Sequence, residues 1–300
     1  MGTYGRVLIY GGNNADVDAA FAKIKELDNL LSDYNPDSEI SEINKMAGVK
    51  AVKVDPQVIQ VLETAKSVAS ETDGVFDPTI GALTIGVYRF GRESDVEPNI
   101  SDIDKAKSLV NYKDLIIEGH KVYLKNKGMM IDLGGIGKGY AVEQAVRVLK
   151  ERGVPSGIVS LSGDLNVFGD QVEIAIKNPE SEEAIAIFTS KSEDLAISTS
   201  GSYERSVNID GDVYHHLIVP ESGRPGSEFL SLTVVIEDTS TLADAYATAL
   251  FIMGKDKALE FLNRHNGIGV FIVFPDYSMY YNDTFISLVS NLNIEEVKSK

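Results

Sequence analysis

A glycine-rich segment, Gly134-Gly135-Ile136-Gly137-Lys138-Gly139, follows Asp132 and a short apolar stretch. A strand that passes through a glycine turn into the start of a helix presents backbone N–H groups and a favourable helix dipole to an anion. The segment is not a P-loop, because a glycine rather than Ser or Thr follows the lysine, and it lacks the G-x-G-x-x-G spacing. Two interpretations stay open: a phosphate-binding turn, or a tight turn whose glycines allow positive φ.

A second pair, Asp244 and Thr248, is spaced so that a helix would place both side chains on one face. A carboxylate and a hydroxyl suit Mg²⁺, a hard cation that takes few protein ligands and completes its shell with phosphate oxygens and water. The alternative is structural, since an aspartate in the first turn of a helix is favoured by the helix dipole and a threonine can simply pack.

Two further segments, Ser162-Gly163-Asp164 and Thr199-Ser200-Gly201, each follow an apolar stretch. Loops at strand ends commonly hold ligands, although ordinary turns have the same composition. His215 and His216 are adjacent at a predicted strand end, so they face opposite sides and at most one reaches a given site. The sequence contains no G-x-S-x-G, no H-E-x-x-H and no cysteine dyad, which argues against the common hydrolases and zinc proteases.

The elements that must position these residues follow from periodicity and turn signals. Asp16 is predicted to cap a first helix and Asp55-Pro56 to start a second. Because strands and helices do not alternate strictly, the pattern predicts an α+β fold. The length allows one large domain over 1–300 or two closely packed lobes. Further helices are predicted from the glycine-rich segment to Gly153, over 243–253 and over 258–262. Strands are predicted over 7–10, 129–133, 157–161, 172–176, 185–188, 195–198, 232–236 and 269–274, with hairpins over 115–124 and around Asp210-Gly211.

Composition excludes several classes of protein. The chain has 300 residues and 43% hydrophobic content, enough for a sizeable core. Its net charge of −17 argues against nucleic-acid binding and against a general attraction to acidic lipids. The absence of cysteine excludes disulfides, thiolate metal sites and a cysteine nucleophile. No apolar run approaches the roughly 20 residues that cross a bilayer.

Taken in order, the segments resemble the FAD:protein FMN transferase family, also called the ApbE family. The match runs through most of the chain. The resembling segments are Met1-Gly2-Thr3, the serine-rich 32–41 with Asn44, Gly74-Val75-Phe76-Asp77-Pro78-Thr79 (G-x-F-D-P-T), 131–141 (D-L-G-G-I-A-K-G-Y-A), Ser162-Gly163-Asp164 (G-G-D), 199–203 (T-S-G-x-Y), the histidine segment 214–225, and Ala243-Asp244-Ala245 with Thr248-Ala249 (A-D-A-x-x-T-A).

The resemblance implies mixed sheets with flanking helices in two packed, interleaved lobes around a flavin cleft. It implies FAD as the substrate, with Mg²⁺ at the pyrophosphate held by Asp244, Thr248 and the carbonyl of Gly135. It places His216, Asp164 and Asp77 on catalytic segments. The FAD contacts that it implies are Met1, Tyr34, Asp77, Asp132, Lys138, Glu143, Ser162, Gly163, Asp164, Thr199, Ser200, Gly201 and His216.

The implied reaction is phosphoryl transfer, in which a Thr or Ser hydroxyl of an acceptor flavoprotein attacks the FMN-side phosphorus and AMP leaves. Two alternatives stay open: an FAD pyrophosphatase that uses water, and an FAD-binding protein without catalysis. Retention of Asp244 and Thr248 favours an enzyme. Three departures from the family pattern are Val219 in place of an acid, Gly137 where Ala is common, and Ser162 where Gly is common.

The family resemblance also implies a partner and a compartment. Its acceptors include subunits of membrane redox complexes, and most members are exported and often lipid-anchored. We therefore expect an extracytoplasmic protein that is membrane-anchored at full length. The segment Met1-Gly2-Thr3-Tyr4-Gly5-Arg6 has no apolar signal core. A start at the family's first motif suits a chain whose export segment has been removed, and a cytoplasmic member would begin in the same way.

Overall fold

The structure is a computed structural model that describes residues 3–90, 99–202, 206–209, 212–226, 228–237 and 239–295. Met1 and the turn at Asp210-Gly211 lie outside these ranges. The helices are α1 (Asn14–Leu31), α2 (Glu39–Lys45), α3 (Pro56–Glu71), α4 (Gly81–Leu83) continued by a π-helical turn (Thr84–Tyr88), α5 (Ile100–Lys107), a 3₁₀ turn (Tyr112–Asp114), α6 (Gly137–Glu151), α7 (Ser240–Met253), α8 (Lys255–Arg264) and α9 (Asp283–Leu288).

The strands are numbered in the same way along the chain. They are β1 (Gly5–Tyr10), β2 (Val52–Lys53), β3 (Leu115–Glu118), β4 (Lys121–Leu124), β5 (Ser156–Leu161), β6 (Asp164–Phe168), β7 (Glu173–Lys177), β8 (Ala184–Ser190), β9 (Asp194–Gly201), β10 (Ser206–Ile209), β11 (Asp212–His215), β12 (Ile218–Val219), β13 (Arg224–Pro225), β14 (Ser231–Glu237), β15 (Gly269–Val273), β16 (Met279–Tyr281) and β17 (Val289–Ile294).

The chain divides into two compact units, each built from separate segments. Unit 1 contains Glu26–Gly137 and Glu204–Gly226, and unit 2 contains Gly2–Lys25, Lys138–Tyr203 and Ser227–Lys300. Both units mix helices with sheets, which confirms the predicted α+β class. The single domain over 1–300 with a flavin cleft stays a prediction. Within the described residues, no helix is both long and apolar enough to span a bilayer.

Unit 2 is organised around a seven-stranded sheet of order β1-β5-β6-β9-β14-β15-β16. Every neighbouring pair in this sheet is antiparallel. Strand β14 is buried along its length except at Glu237, as its β-branched sequence predicts. Helix α7 packs against β6, β9 and β14. A second sheet of order β17-β8-β7 joins the core through Phe188, Phe271 and Phe285.

Unit 1 holds a small sheet of order β2-β4-β3 and the hairpins β10-β11 and β12-β13. The hairpin predicted over 115–124 is confirmed, with Leu115 paired to Leu124. Helix α3 begins as predicted, because Asp55 accepts a hydrogen bond from the Gln57 N–H and Pro56 occupies the first helical position.

The start of α1 differs from the prediction, since Asn13 rather than Asp16 is the N-cap. The Asn13 side chain accepts a hydrogen bond from the Ala15 N–H at 2.9 Å, and Asp16 accepts one from the Asn13 N–H at 2.8 Å. The arrangement is a variant of a capping box, in which the N-cap side chain binds the second helical N–H, and Asp16, the third residue of the helix, binds the N-cap N–H. The hydrogen bond from Asn13, aided by Arg152, holds the pKa of Asp16 below its usual value.

The strand predicted over 129–133 is wrong. Within this stretch, only Met130 forms a bridge, with Ile80. The physical reason is a side chain: Asn44 accepts from the Ile131 N–H at 2.6 Å and donates to the Ile131 carbonyl at 2.9 Å. An amide that satisfies both backbone groups of a residue replaces the strand partner that the apolar pattern suggested.

Candidate active site

Helix α6 comes close to α7 at Gly139, in the first turn of α6. A Cβ atom at this position would lie 2.1 Å from the Ser240 carbonyl oxygen and 2.7 Å from the Asp244 Cβ. Real side chains do not tolerate such distances, so only glycine fits here. The glycine-rich segment therefore serves helix packing at Gly139, in addition to any role in binding an anion.

A charged cluster forms at this contact. The Lys138 ammonium lies 2.6 Å from Asp164 Oδ2 and 3.2 Å from Asp244 Oδ1. The Gly139 N–H donates to Asp244 Oδ2 at 2.9 Å. Both carboxylates are only 3% exposed, whereas the lysine side chain is 20% exposed. Two buried acids share one ammonium, so the cluster carries a net charge of −1 when both acids are ionised, and that form favours an additional cation.

The position of Asp164 is set by the sheet. Asp164 opens β6 and lies directly opposite Ser198 of β9 in the antiparallel register. The Ser198 hydroxyl, itself buried, donates a hydrogen bond to Asp164 Oδ1. Since Oδ2 contacts Lys138, both carboxylate oxygens of Asp164 are engaged and the side chain is held in one orientation.

Burial governs the electrostatics of Asp244. Desolvation, followed by repulsion from the Asp164 carboxylate, raises the pKa of Asp244 to about 7. The Lys138 ammonium and the Gly139 N–H oppose this rise. Near neutral pH Asp244 is therefore poised between its protonated and ionised forms, and a cation at the carboxylate would favour the ionised form.

Asp244 is the fifth residue of α7, because that helix begins at Ser240 rather than at the predicted residue 243. It therefore lies outside the first turn, and the helix dipole does not explain it. Thr248 follows one turn later and is half-buried. In the described residues, no group of three or more His, Asp or Glu could hold a metal ion. A cation here would depend on one carboxylate and a hydroxyl, with the remaining ligands from elsewhere.

The predicted loop segments of unit 2 differ from each other in the structure. Ser162 and Gly163 form a two-residue hairpin loop between β5 and β6, and Ser162 has a φ of 55°. Positive φ at the first loop residue is the pattern of a type II′ turn, where glycine is preferred. The segment Thr199-Ser200-Gly201 is not a loop but the end of β9, paired with β14. The strand runs three residues further than the apolar pattern indicated, and Thr199 pairs with Thr233 across the sheet in this extension.

Unit 1 contains Asp77, whose carboxylate is engaged by three donors. Oδ1 accepts from the Thr79 N–H at 2.7 Å and the Thr79 hydroxyl at 2.6 Å, and Oδ2 accepts from the Tyr112 N–H at 2.8 Å. Burial raises the pKa of Asp77, and these hydrogen bonds oppose the rise. The geometry supports an ordering role for this loop, and a catalytic role stays a prediction.

Asp132 and Tyr34, two predicted FAD ligands, also make local contacts in unit 1. Asp132 accepts from the Thr84 hydroxyl at 2.5 Å and from the Gly134 N–H at 2.7 Å, so it orders the start of the glycine turn. Gly135 lies in that turn, and its role as a metal ligand stays a prediction. The Tyr34 hydroxyl donates to the Phe90 carbonyl at 2.9 Å.

The two histidines have different environments, as their alternation predicts. His215 is buried, accepts from the Leu217 N–H at Nδ1 and contacts the Gly226 carbonyl through Nε2. These partners require the neutral Nε2–H tautomer, and burial lowers the pKa of His215 in agreement. His216 is half-buried. The structure thus assigns His215 a structural role, and the catalytic role of His216 stays a prediction.

Comparison with known proteins decides the family. A sequence model of the ApbE family matches residues 1–272. The chain belongs to the ApbE family. It is 31% identical to the FAD:protein FMN transferase of Escherichia coli (strain K12), over 91% of this chain and 82% of the relative. It is 27% identical to the FAD:protein FMN transferase of Treponema pallidum (strain Nichols), over 92% of this chain and 83% of the relative.

Solved ApbE structures share the fold. The ApbE protein of Thermotoga maritima matches with a TM-score of 0.88 and 29% identity, over 97% of both chains. The flavinyl transferase ApbE of Pseudomonas stutzeri, in its apo form, matches with a TM-score of 0.81 and 26% identity, over 93% of this chain and 89% of that one.

Two residues of the cluster region escaped sequence reasoning. Ser198 lies at the end of the apolar stretch 195–197, and a polar residue at a buried strand position could have indicated a site. Thr241 gave no signal, because its partner Glu143 is 98 residues away in the chain. Contacts of this range are set by the ApbE fold and not by local pattern.

Proposed function

We propose that this ApbE-family protein transfers FMN from FAD to a Thr or Ser hydroxyl of an acceptor flavoprotein, releasing AMP. The observation that carries the proposal is the buried Lys138–Asp164–Asp244 cluster at the first turn of α6. It combines an ammonium, two fixed carboxylates and a helix N-terminus, the groups that phosphoryl transfer with a divalent cation uses. The names of the relatives support the same activity.

The donor set fits Mg²⁺. Asp244 supplies a buried carboxylate oxygen and Thr248 a hydroxyl one helical turn later. The Lys138 ammonium already lies 3.2 Å from Asp244. With both carboxylates ionised, the cluster still carries net negative charge. When bound, Mg²⁺ would neutralise charge on the pyrophosphate and orient it for attack. Asp244 and Thr248 are the residues of this chain that would hold it.

The other residues of the cluster act as fixed charges. Lys138 Nζ is held between two carboxylates, so its position is defined before any substrate arrives. It is suited to bind and orient a phosphate oxygen, and it competes with the cation for Asp244. Asp164 is held by the Ser198 hydroxyl and by Lys138, which favours a positioning role over proton transfer. From the family resemblance alone, we propose His216 as the base for the acceptor hydroxyl.

For the acceptor and the compartment, we propose what the family resemblance implies. The acceptor is a flavoprotein subunit of a membrane redox complex, and transfer takes place outside the cytoplasm. Fractionation of the native host with an antibody against this chain tests the compartment. Recovery with the soluble cytoplasmic fraction would contradict it.

The activity itself is tested by following AMP. The protein is incubated with FAD and Mg²⁺, with and without an acceptor domain that carries the family's acceptor motif. A transferase releases AMP in step with acceptor labelling, and omission of the acceptor suppresses both. AMP and free FMN at the same rate without acceptor would make the protein a pyrophosphatase. FAD that stays bound and intact would make it a binding protein.

The variant Asp244→Asn tests the cation site. It keeps the side-chain size and loses the charge, so we expect Mg²⁺-dependent AMP release to fall by at least about 10²-fold while the fold is retained. Asp256→Asn is a matched control, because Asp256 is an exposed aspartate in the first turn of the next helix, α8. Equal activity of the two variants would refute the site.

A further inference from the structure

Glu143 connects α6 to the start of α7. Its Oε2 accepts hydrogen bonds from the Thr241 N–H at 3.1 Å and from the Thr241 hydroxyl at 2.6 Å. The residue that precedes α7, Thr239, makes no capping hydrogen bond with its side chain. The first N–H groups of a helix lack partners within the helix, and a carboxylate beside them is also favoured by the helix dipole. Glu143 therefore caps α7 from a neighbouring helix.

This contact adds to two others between the same helices, the Lys138–Asp244 ion pair and the hydrogen bond from the Gly139 N–H to Asp244. Gly139 and Glu143 lie one turn apart on α6, and their partners Asp244 and Thr241 lie about one turn apart on α7. Helix α7 already packs against β6, β9 and β14. The contacts of Gly139 and Glu143 restrain it further, at the end that carries Asp244.

We propose that Glu143 is a positioning residue for the cation site, and that its carboxylate holds the first turn of α7 instead of contacting FAD. The inference rests on the proposed function, since it concerns the same Asp244 and Thr248. Glu143 contacts neither residue directly. It acts through Thr241, which is buried and lies three residues before Asp244.

Loss of the Glu143 contact should weaken the affinity for the cation and leave the KM for FAD nearly unchanged. Residues that orient a metal ligand typically change metal affinity or activity by about 10–100-fold when they are removed. We expect Glu143→Ala to raise the Mg²⁺ concentration for half-maximal AMP release by about that factor, with little change in the KM for FAD. Thr241→Val, which removes the hydroxyl and keeps the shape, should act in the same direction.

Three comparisons separate positioning from a general structural defect. Glu143→Gln retains an oxygen that can accept both hydrogen bonds, so it should restore Mg²⁺ half-saturation to within about threefold of the wild type. The double variant Glu143→Ala/Thr241→Val should be no worse than Glu143→Ala, because the two side chains form one contact. Glu151→Ala, at an exposed glutamate of the same helix, is the control and should match the wild type.

Binding of Mn²⁺ to the flavin-free protein, followed by electron paramagnetic resonance, gives a readout that needs no turnover. We expect about a 10–100-fold weaker Mn²⁺ affinity for Glu143→Ala and near-normal affinity for Glu143→Gln. If the wild type binds Mn²⁺ but releases no AMP, the transferase proposal fails while Glu143 is still tested. A rise in the KM for FAD with unchanged cation affinity would overturn the inference, as would failure of Glu143→Gln to restore binding. If Glu143→Ala does not fold, Thr241→Val and Glu143→Gln decide by the same criteria.

Discussion

Substitution of Gly139 by alanine is expected to separate the two helices that carry the charged cluster. The added Cβ would lie 2.1 Å from the Ser240 carbonyl oxygen, and real Cβ contacts are not found below 3.0 Å. The obstructing atom belongs to the backbone, so α7 must move by about 0.9 Å, the difference between these distances. The hydrogen bond from Gly139 N–H to Asp244 Oδ2, now 2.9 Å, would lengthen beyond the limit of a hydrogen bond.

Two magnitudes follow from this displacement. Overpacking of this kind costs about 1–3 kcal/mol. An unfolding entropy of about 2.1 cal/mol/K per residue gives roughly 0.6 kcal/mol/K for this chain, so Tm should fall by about 2–5 °C. A 1 Å misplacement of a catalytic group can cost about 10²-fold in rate, so the activity should fall far more than the stability.

The control is Gly137→Ala, two residues earlier in the same segment. Its Cβ would meet only Leu133 Cβ at 3.6 Å, an ordinary contact, and its φ is not positive. We expect this variant to be neutral or slightly stabilised, since alanine favours helices over glycine. The assay is Mg²⁺-dependent AMP release together with thermal unfolding by circular dichroism. Wild-type turnover by Gly139→Ala, or equal loss in both variants, would refute the packing argument.

Three other perturbations have defined outcomes. The raised pKa of Asp244 means that the folded metal-free protein binds this proton more tightly than the unfolded chain. This contribution to the free energy of unfolding is full below about pH 4 and is lost as the pH rises through 7. Because a proton competes with Mg²⁺ for Asp244, the Mg²⁺ affinity should fall about tenfold for each pH unit below 7. Urea unfolding and Mg²⁺ titration are measured for the wild type and for Asp244→Asn, and the same pH dependence in both would contradict this. Ser162→Gly should raise the free energy of unfolding by up to about 1 kcal/mol, because the positive φ of a type II′ turn favours glycine, and an unchanged or lower urea midpoint would contradict this. Asn44→Ala should lower it by about 2–4 kcal/mol through the two unpaired backbone groups of Ile131, and a loss below 1 kcal/mol would contradict that accounting.

Local sequence signals predicted the elements whose causes are local. Asp55-Pro56 fixed the start of α3 through a cap and a preset φ, and hydrophobic periodicity located α6 and the hairpin over 115–124. Local sequence signals gave a wrong prediction where a side chain distant in the chain determines the backbone structure. The stretch around Ile131 has the apolar composition of a strand, but Asn44, 87 residues earlier in the chain, binds its backbone.

The candidate site also has features that local sequence predicts and features that depend on contacts between distant residues. Motif order identified Lys138, Asp164 and Asp244 one by one, and family resemblance implied that they share a site. Their geometry was beyond local reasoning, because Lys138 and Asp244 are 106 residues apart in the chain. The spacing of Asp244 and Thr248 was predicted correctly as one helical face. The position of Asp244 within α7, which removes the helix-dipole explanation, required the true start of that helix at Ser240.

Transfer of FMN to a protein acceptor is measured by the intact mass of that acceptor. An acceptor domain with the family's motif is incubated with this protein, FAD and Mg²⁺, beside samples that contain a chelator or the Asp244→Asn variant. We expect a mass gain of one FMN unit on a single Thr or Ser of the acceptor, with one AMP released for each, and no gain in either control. An unmodified acceptor in the complete mixture, or equal labelling in the presence of the chelator, would contradict it.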